Sequence, residues 1–184
     1  MKQVLIPLAP GCEELEAVTL IDILRRGDVR VVTASMDEQL VVASRGVTLA
    51  ADTTLDKAMA EDGCDMVVIP GGLCGATTLT EHGKFVAYLK EVHDSGRYVA
   101  AICAAPMALG RAGLLDGRKF TAYPGLLDAS QYPGATYTGT AVESDGRVLT
   151  SRGPGTALDF ALALLETLVD AETRVQVEQA LVRS

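Results

Sequence analysis

The stretch YVAAICAAPMAL, residues 98–109, is the clearest indication of the fold, because it joins a strand directly to a helix. Its first five residues form an apolar run of the kind found in buried strands. No turn signal separates that run from Cys103. Pro106 is tolerated only near the start of a helix, so a helix begins close to it. The sequence therefore predicts a strand-to-helix junction at Cys103.

The same strand-then-helix pattern recurs on both sides of this junction. Val4 to Leu8 is an apolar run ended by Pro10-Gly11, and a helical pattern follows from Glu13 to Arg26. Similar patterns predict strands at 29–34 and 66–70, a hairpin of 40–43 with 47–50, and helices at 55–61, 83–95 and from 156 onward. This alternation predicts a flavodoxin-like (Rossmann-like) α/β fold, with a mostly parallel sheet and helices on both faces in a three-layer sandwich.

Length and composition indicate a single domain over residues 1–184. The chain has 184 residues, 48% of them apolar and 22% charged, which suffices for a packed core. Its net charge of −8 and pI of 4.7 argue against a nucleic-acid or membrane-surface partner. No apolar run approaches the roughly 18 residues that cross a bilayer, and no secretory signal is seen at the N-terminus. We therefore expect a cytoplasmic protein.

Cysteine and histidine spacing gives no sign of a metal site or cofactor. The chain has four cysteines, none in a C-x-x-C pair: Cys12, Cys64, Cys74 and Cys103. Neither a zinc site nor a disulfide framework is expected from them. Cys64 and Cys74 are interpreted as packing residues, and Cys12 as a loop residue near the site that is also a candidate oxidation partner. His82 and His93 belong to or adjoin one amphipathic helix and are interpreted as solvated helix residues.

The junction at Cys103 is the strongest candidate for chemistry. In a flavodoxin-like strand order of 2-1-3-4-5, the loops after the first strand, after residue 69 and after residue 102 meet where the order reverses, which is where such sheets bind ligands. An abrupt turn and a helix N-terminus both favour a thiolate, so Cys103 is a candidate nucleophile. The N–H of Ala104 would then donate to an oxyanion. Gly71 and Gly72 allow the backbone to approach closely and supply a second donor. The alternative is that Cys103 is simply a small buried residue, as most isolated cysteines are, and the local pattern leaves both interpretations open.

Three acidic residues, Glu13, Glu14 and Glu16, open the first helix. The helix dipole alone explains acidic residues in a first turn, and periodicity does not single out Glu16. A carboxyl next to a thiolate must nevertheless be protonated, since two adjacent anions raise each other's pKa. A neutral Glu16 would donate a hydrogen bond to the sulfur and carry a proton.

Four motifs resemble those of the ThiJ/PfpI superfamily, in the order and spacing of its DJ-one/YajL branch. They are GCEELEAVT at 11–19, PGG at 70–72, AAICAAP at 100–106 and SRGPGT at 151–156. The resemblance covers nearly the whole chain. It implies a flavodoxin-like fold, a homodimer, and a reactive cysteine, Cys103, hydrogen-bonded to a protonated glutamate, Glu16.

The resemblance also assigns residues around this pair. It implies that the backbones of Gly72 and Ala104 donate to the site and that Pro154 lines the pocket. Arg26 and Arg45 match family arginines near the dimer interface and the pocket mouth. From the sequence alone, Arg26 is equally well explained as a cation at a helix C-terminus, and Arg45 as a residue of a hairpin turn.

The chain departs from the superfamily pattern at two positions. PfpI-type proteases have histidine directly after the nucleophile, whereas this chain has Ala104, which argues against proteolysis. Human-like members have histidine at the position of Tyr123, and a bacterial subgroup similar to YajL has an aromatic residue there. Tyr123 is therefore expected in the pocket, as a hydrogen-bond donor or as a packing residue. Glu16 remains as the main proton carrier.

Together these features imply a cysteine-dependent, cofactor-free glyoxalase or protein deglycase acting on methylglyoxal, glyoxal or their early protein adducts. Cys103 would form a hemithioacetal with the aldehyde, and Glu16 would move a proton between carbons. The alternative is a redox-sensing stress chaperone whose cysteine is oxidised to a sulfinate. A third interpretation, an amidotransferase-like or other hydrolase, requires a histidine beside Cys103.

Overall fold

A seven-stranded sheet forms the centre of the computed structural model, which describes residues 1–183. The strands are β1 (Gln3–Leu8), β2 (Arg30–Ser35), β3 (Leu40–Val42), β4 (Thr48–Ala50), β5 (Thr53–Thr54), β6 (Met66–Ile69), β7 (Tyr98–Ile102), β8 (Lys119–Phe120), β9 (Thr136–Tyr137), β10 (Val142–Asp145) and β11 (Val148–Ser151). The helices are α1 (Glu14–Arg26), α2 (Leu55–Glu61), α3 (Leu73–Glu81), α4 (Gly83–Asp94), α5 (Pro106–Arg111), α6 (Ala157–Leu168) and α7 (Ala171–Ala180).

The strand order confirms the flavodoxin-like prediction. Across the sheet the order is β10-β11-β7-β6-β1-β2-β5. Every neighbouring pair is parallel except β10 with β11. Counted along the chain, the five central strands β1, β2, β6, β7 and β11 stand in the order 2-1-3-4-5. The order therefore reverses between β1 and β6, and β7 lies directly beside β6.

Apolar strands and two groups of helices build the core. All four residues of β6 are buried, as expected for a central parallel strand covered on both faces. One group of helices packs α1 on α6 and α6 on α7, while a second packs α3 on α4 and α5. Two helix groups on one sheet are what a three-layer arrangement requires. None of the helices within residues 1–183 is long and apolar enough to cross a membrane.

Local differences from the prediction have identifiable causes. The hairpin of β3 and β4 is present and antiparallel, as predicted, and lies outside the main sheet. Helix α3 was not predicted, because it follows a Gly-Gly pair and is rich in threonine, a weak helix former. In the structure, three of its threonine hydroxyls donate to carbonyl oxygens one turn earlier in the same helix. The last helical region consists of two helices, since Asp170 caps a new one by accepting from the Thr173 N–H at 2.7 Å.

Candidate active site

Cys103 sits on a sharp turn between β7 and α5, at the sheet edge where the order reverses. Its φ is +64°, a left-handed conformation that costs a non-glycine residue about 1–3 kcal/mol. Two backbone hydrogen bonds hold the turn: the Cys103 N–H donates to the Ser151 carbonyl at 3.0 Å, and the Cys103 carbonyl accepts from the Tyr123 N–H at 2.9 Å. The helix begins at Pro106, so residues 103–105 form a separate turn between strand and helix.

Glu16 is fully buried on α1, and its carboxyl points at the loop after β6. Its Oε2 accepts from the Gly71 N–H at 2.7 Å. Its Oε1 has no hydrogen-bond partner within the described residues. Burial, with a smaller contribution from the negative charge of Glu13, raises the pKa of Glu16 from 4.5 to about 7. A large fraction of Glu16 is therefore protonated near neutral pH, and the proton can reside on Oε1.

The Cys103 thiol lies beside this carboxyl, and its environment differs from the expectation of a stabilised thiolate. Burial, followed by the negative charge of an ionised Glu16, raises the pKa of Cys103 to about 12. The backbone N–H groups of Gly72 and Ala104 act in the opposite direction and lower this pKa. Only 9% of Cys103 is exposed, so desolvation outweighs the two donors. Protonation of Glu16 removes the repulsive charge, which couples ionisation of the thiol to the state of the acid.

Glycine is required at both positions of the loop after β6. A Cβ atom on Gly71 would lie 2.6 Å from the Cβ atom of Cys103 and 2.6 Å from Oε2 of Glu16. Gly72 has a φ of +85°, and a Cβ atom there would overlap the carbonyl oxygen of Gly11. The missing side chains are therefore what allows the loop, the thiol and the carboxyl to share one space.

Above the thiol lies a pocket of about 680 Å³. Its lining contains most of the predicted site residues: Gly72, Cys103, Ala104, Tyr123, Pro154 and Arg45. Glu16 and Gly71 are not part of this lining, since the carboxyl is fully buried and bonds the Gly71 N–H from beneath. The nucleophile candidate and its two backbone donors therefore border the pocket, while the acid is shielded from solvent.

Arg26 does not line this pocket, which corrects its placement with the other predicted site residues. It ends α1, ten residues after Glu16, and a helix advances about 15 Å over that length. Its Nε donates to the carboxylate of Asp22 at 2.8 Å, and it borders a different groove with α7 residues.

One wall of the pocket is the tip of the β3–β4 hairpin, held in place by a residue that the sequence did not single out. The Glu14 carboxylate accepts from the Ser44 hydroxyl and from the Arg45 N–H, each at 2.8 Å. The Ser44 N–H also donates to the Cys12 carbonyl at 2.8 Å. Only the position of Glu14 in the first turn hinted at a role, and the helix dipole explained that position equally well.

Two of the three remaining cysteines, Cys12 and Cys74, differ from the prediction, and Cys64 agrees with it. Cys74 is exposed and lines the pocket, because α3 begins at Leu73 and carries the next residue to the pocket wall. Cys12 is buried instead, and this burial, together with the charge of Glu14, raises the pKa of its thiol to about 11. Cys64 is buried and lies 3.3 Å from the Tyr88 hydroxyl.

Neither histidine belongs to the pocket. His82 accepts from the Phe85 N–H at 3.1 Å and so caps α4, and His93 lies 3.1 Å from the guanidinium of Arg118. Within residues 1–183 no three His, Cys, Asp or Glu side chains come together as a metal site would require. The hydrolase interpretation thus lacks the histidine that it needs next to Cys103.

The fold and this site define a class: a flavodoxin-like α/β protein with a cysteine at the turn after a central strand and a buried carboxyl beside it. The model of the DJ-1/PfpI family matches residues 2–167. The chain belongs to the DJ-1/PfpI family.

Known proteins agree with this assignment. Protein DJ-1 homolog A from Arabidopsis thaliana is 42% identical over 98% of this chain, and the chain spans about half the length of that relative, 46%. A Caenorhabditis elegans protein, glutathione-independent glyoxalase DJR-1.2, is 35% identical over 93% of this chain and 91% of its own length. The structure of oxidized DJ-1 from Toxoplasma gondii matches all of both chains, with a TM-score of 0.93 and 36% identity.

Proposed function

We propose that this protein is a cofactor-free glyoxalase that acts on methylglyoxal, glyoxal and their early adducts on protein side chains. The observation that carries the proposal is the pairing of Cys103 with the buried Glu16, below two backbone donors and an open pocket. The relative from C. elegans that bears a glyoxalase name supports the substrate class.

The reaction begins with addition of the Cys103 thiol to the aldehyde carbon. The new C–S bond forms as the carbonyl oxygen gains negative charge, and the N–H groups of Gly72 and Ala104 stabilise that charge. The proton released by the thiol ends on this oxygen, giving a neutral hemithioacetal. A pKa of about 7 allows Glu16 to accept and return protons near neutral pH.

Glu16 then moves a proton from the hemithioacetal carbon to the neighbouring carbonyl carbon, while the hydroxyl proton of the hemithioacetal passes to the neighbouring carbonyl oxygen. This transfer converts the hemithioacetal of methylglyoxal into a thioester of lactate. Water cleaves the thioester, which releases lactate and restores the thiol, so the net reaction adds one water and needs no redox partner. In an adduct on a Cys, Lys or Arg side chain, the C–S or C–N bond to that side chain first breaks, the side chain leaves with a proton as the free thiol, amine or guanidine, and Cys103 bonds to the same carbon. The later steps then release a hydroxy acid, which is a deglycase activity.

Methylglyoxal turnover by matched cysteine variants tests this proposal. Lactate formation is expected from the wild-type protein and from Cys64→Ser, a buried cysteine outside the pocket, but not from Cys103→Ser or Glu16→Gln. Mass spectrometry of trapped reactions is expected to show the added mass on Cys103. Lactate formation by Cys103→Ser at the wild-type rate would refute the proposal.

Redox sensing is the second candidate, favoured by the close structural match to an oxidized DJ-1. Peroxide would convert Cys103 first to sulfenic and then to sulfinic acid, whose oxygens the same backbone N–H groups would bind. A stable sulfinate on Cys103 without any lactate formation would favour this function, including a stress-chaperone role, over the glyoxalase.

We also propose a homodimer in the cytoplasm. Exposed apolar side chains lie on α1 and on the hairpin that Glu14 ties to it: Leu15, Val18, Leu40 and Val47. A second copy of the chain would bury them. Light scattering is expected to give twice the chain mass for the wild-type protein and the mass of a single chain for Leu15→Glu.

The proposed cytoplasmic location is consistent with the four free cysteines, since thiols stay reduced in such a compartment.

A further inference from the structure

Tyr123 stands between two clefts. It lines the active-site pocket of about 680 Å³, and it also lines a second cleft of about 470 Å³. Pro154 is the only other residue that the two linings share. The rest of the second cleft is formed by Pro124 and by residues 152–156, which lead into α6. The two clefts are therefore adjacent, and Tyr123 and Pro154 lie at their boundary.

The Tyr123 side chain is weakly held, while its backbone is fixed. Its N–H donates to the carbonyl of Cys103 at 2.9 Å, so the residue keeps its position relative to the nucleophile. The residue is 51% exposed, and its hydroxyl has no hydrogen-bond partner in the described part of the chain. The ring rests near Gly153, where an added Cβ atom would lie 3.4 Å from Cδ2. Rotation about χ1 therefore breaks no hydrogen bond.

We propose that Tyr123 is a specificity-determining residue that separates the pocket from the second cleft, and that this cleft receives the bulky part of a large aldehyde substrate. The substrate class is an aryl-substituted α-ketoaldehyde or an adduct carried by a peptide. The lining suits such a group, because it combines proline rings with the guanidinium of Arg152, which donates to the Gly139 carbonyl at 3.1 Å. The reaction is taken from the proposed function, whereas the geometry of the two clefts is independent of it.

Selectivity between a small and a large substrate tests the proposal. The ratio of kcat/KM for phenylglyoxal to that for methylglyoxal is expected to rise about tenfold in Tyr123→Ala, the range expected when a pocket gains room for a substituent. Tyr123→Phe is expected to keep the wild-type ratio, since the hydroxyl has no partner. The matched comparison is Leu126→Ala, which removes a side chain from the first pocket only and should change the ratio less than Tyr123→Ala does.

A second measurement does not depend on turnover. In a Cys74→Ser background, Cys103 is alkylated with iodoacetamide or with the bulkier N-phenylmaleimide, and the modified peptides are quantified by mass spectrometry. Tyr123→Ala is expected to raise the relative rate of the bulky reagent by more than Leu126→Ala does. Either ratio staying at its wild-type value in Tyr123→Ala overturns the proposal. Absence of turnover in every variant would instead overturn the proposed function, and the alkylation ratio alone would then decide.

Discussion

Replacing Glu16 by glutamine is expected to remove the pH dependence of stability that this buried acid imposes. Glutamine keeps the shape of the neutral acid, so it preserves an acceptor for the Gly71 N–H without carrying a charge. In the wild-type protein, burial favours the protonated carboxyl in the folded state. The two proteins should therefore be similar in stability at low pH and diverge as the wild-type carboxyl ionises.

The size of the effect follows from the two pKa values. The pKa of Glu16 is about 7 when folded and 4.5 in the reference state, so the stabilisation is complete below 4.5 and is lost as the pH rises through 7. A difference of this size corresponds to about 3 kcal/mol. Relative to Glu16→Gln, the wild-type protein should lose about this much free energy of unfolding between pH 4.5 and 8.

Urea denaturation of both proteins across this range, at one protein concentration and in reductant, measures the difference. Glu14→Gln is the matched control on the same helix. Although desolvation opposes it, hydrogen bonds to the Glu14 carboxylate, including one from Ser44, lower the pKa of Glu14. Its stabilisation is present above pH 4.5 and is lost only as the pH falls below that value, so the difference between the wild-type protein and Glu14→Gln should stay nearly constant from pH 4.5 to 8. A wild-type minus Glu16→Gln difference that stays constant from pH 4.5 to 8 would refute the reasoning.

Three further outcomes are expected. Gly71→Ala should lower the free energy of unfolding by about 1–3 kcal/mol in urea titrations and abolish turnover, because its Cβ has no room. Gly83→Ala, whose added Cβ meets nothing within 4 Å, should do neither, and equal losses in both variants would contradict the argument. Glu14→Ala should speed amide hydrogen exchange at Arg45 by about tenfold, since it removes a charged acceptor, and unchanged exchange would show that the hairpin tip is held otherwise. Among the four cysteines, Cys74 should be alkylated first by iodoacetamide under native conditions, because only it is exposed; earlier labelling of a buried cysteine, read by peptide mass, would contradict the burial.

The fold was predictable because its signals are local. The apolar runs at β1, β6 and β7 and the glycines and prolines after them specify the strands and their ends, and a chain that alternates such runs with helices has few parallel arrangements open to it. Helix α3 was missed for the converse reason. Its sequence carries weak helix formers after a Gly-Gly pair, and its place is set by packing on α4 and α5.

The site was predictable only in part, because burial and distance are not local. Sequence position brought Cys103, Gly72 and Ala104 to one edge of the sheet, and the structure places them there. It grouped Arg26 with them, although α1 carries that residue to its opposite end. It also favoured an ionised Cys103, whereas the balance of burial against backbone donors raises the pKa of the thiol. This balance depends on the folded surroundings of the thiol, and sequence periodicity does not reveal it.

Gly71 explains why the nucleophile and the acid form a single unit. The space that its side chain would fill is bounded on one side by the Cys103 Cβ and on another by Glu16 Oε2, and its N–H holds the same carboxyl. Any group added at position 71 therefore displaces both partners together. Because the thiol ionises less readily beside a charged Glu16, a shift of either partner alters the pKa of the other. The PGG motif is thus part of the chemistry as well as the turn, and its first glycine should tolerate substitution no better than the cysteine does.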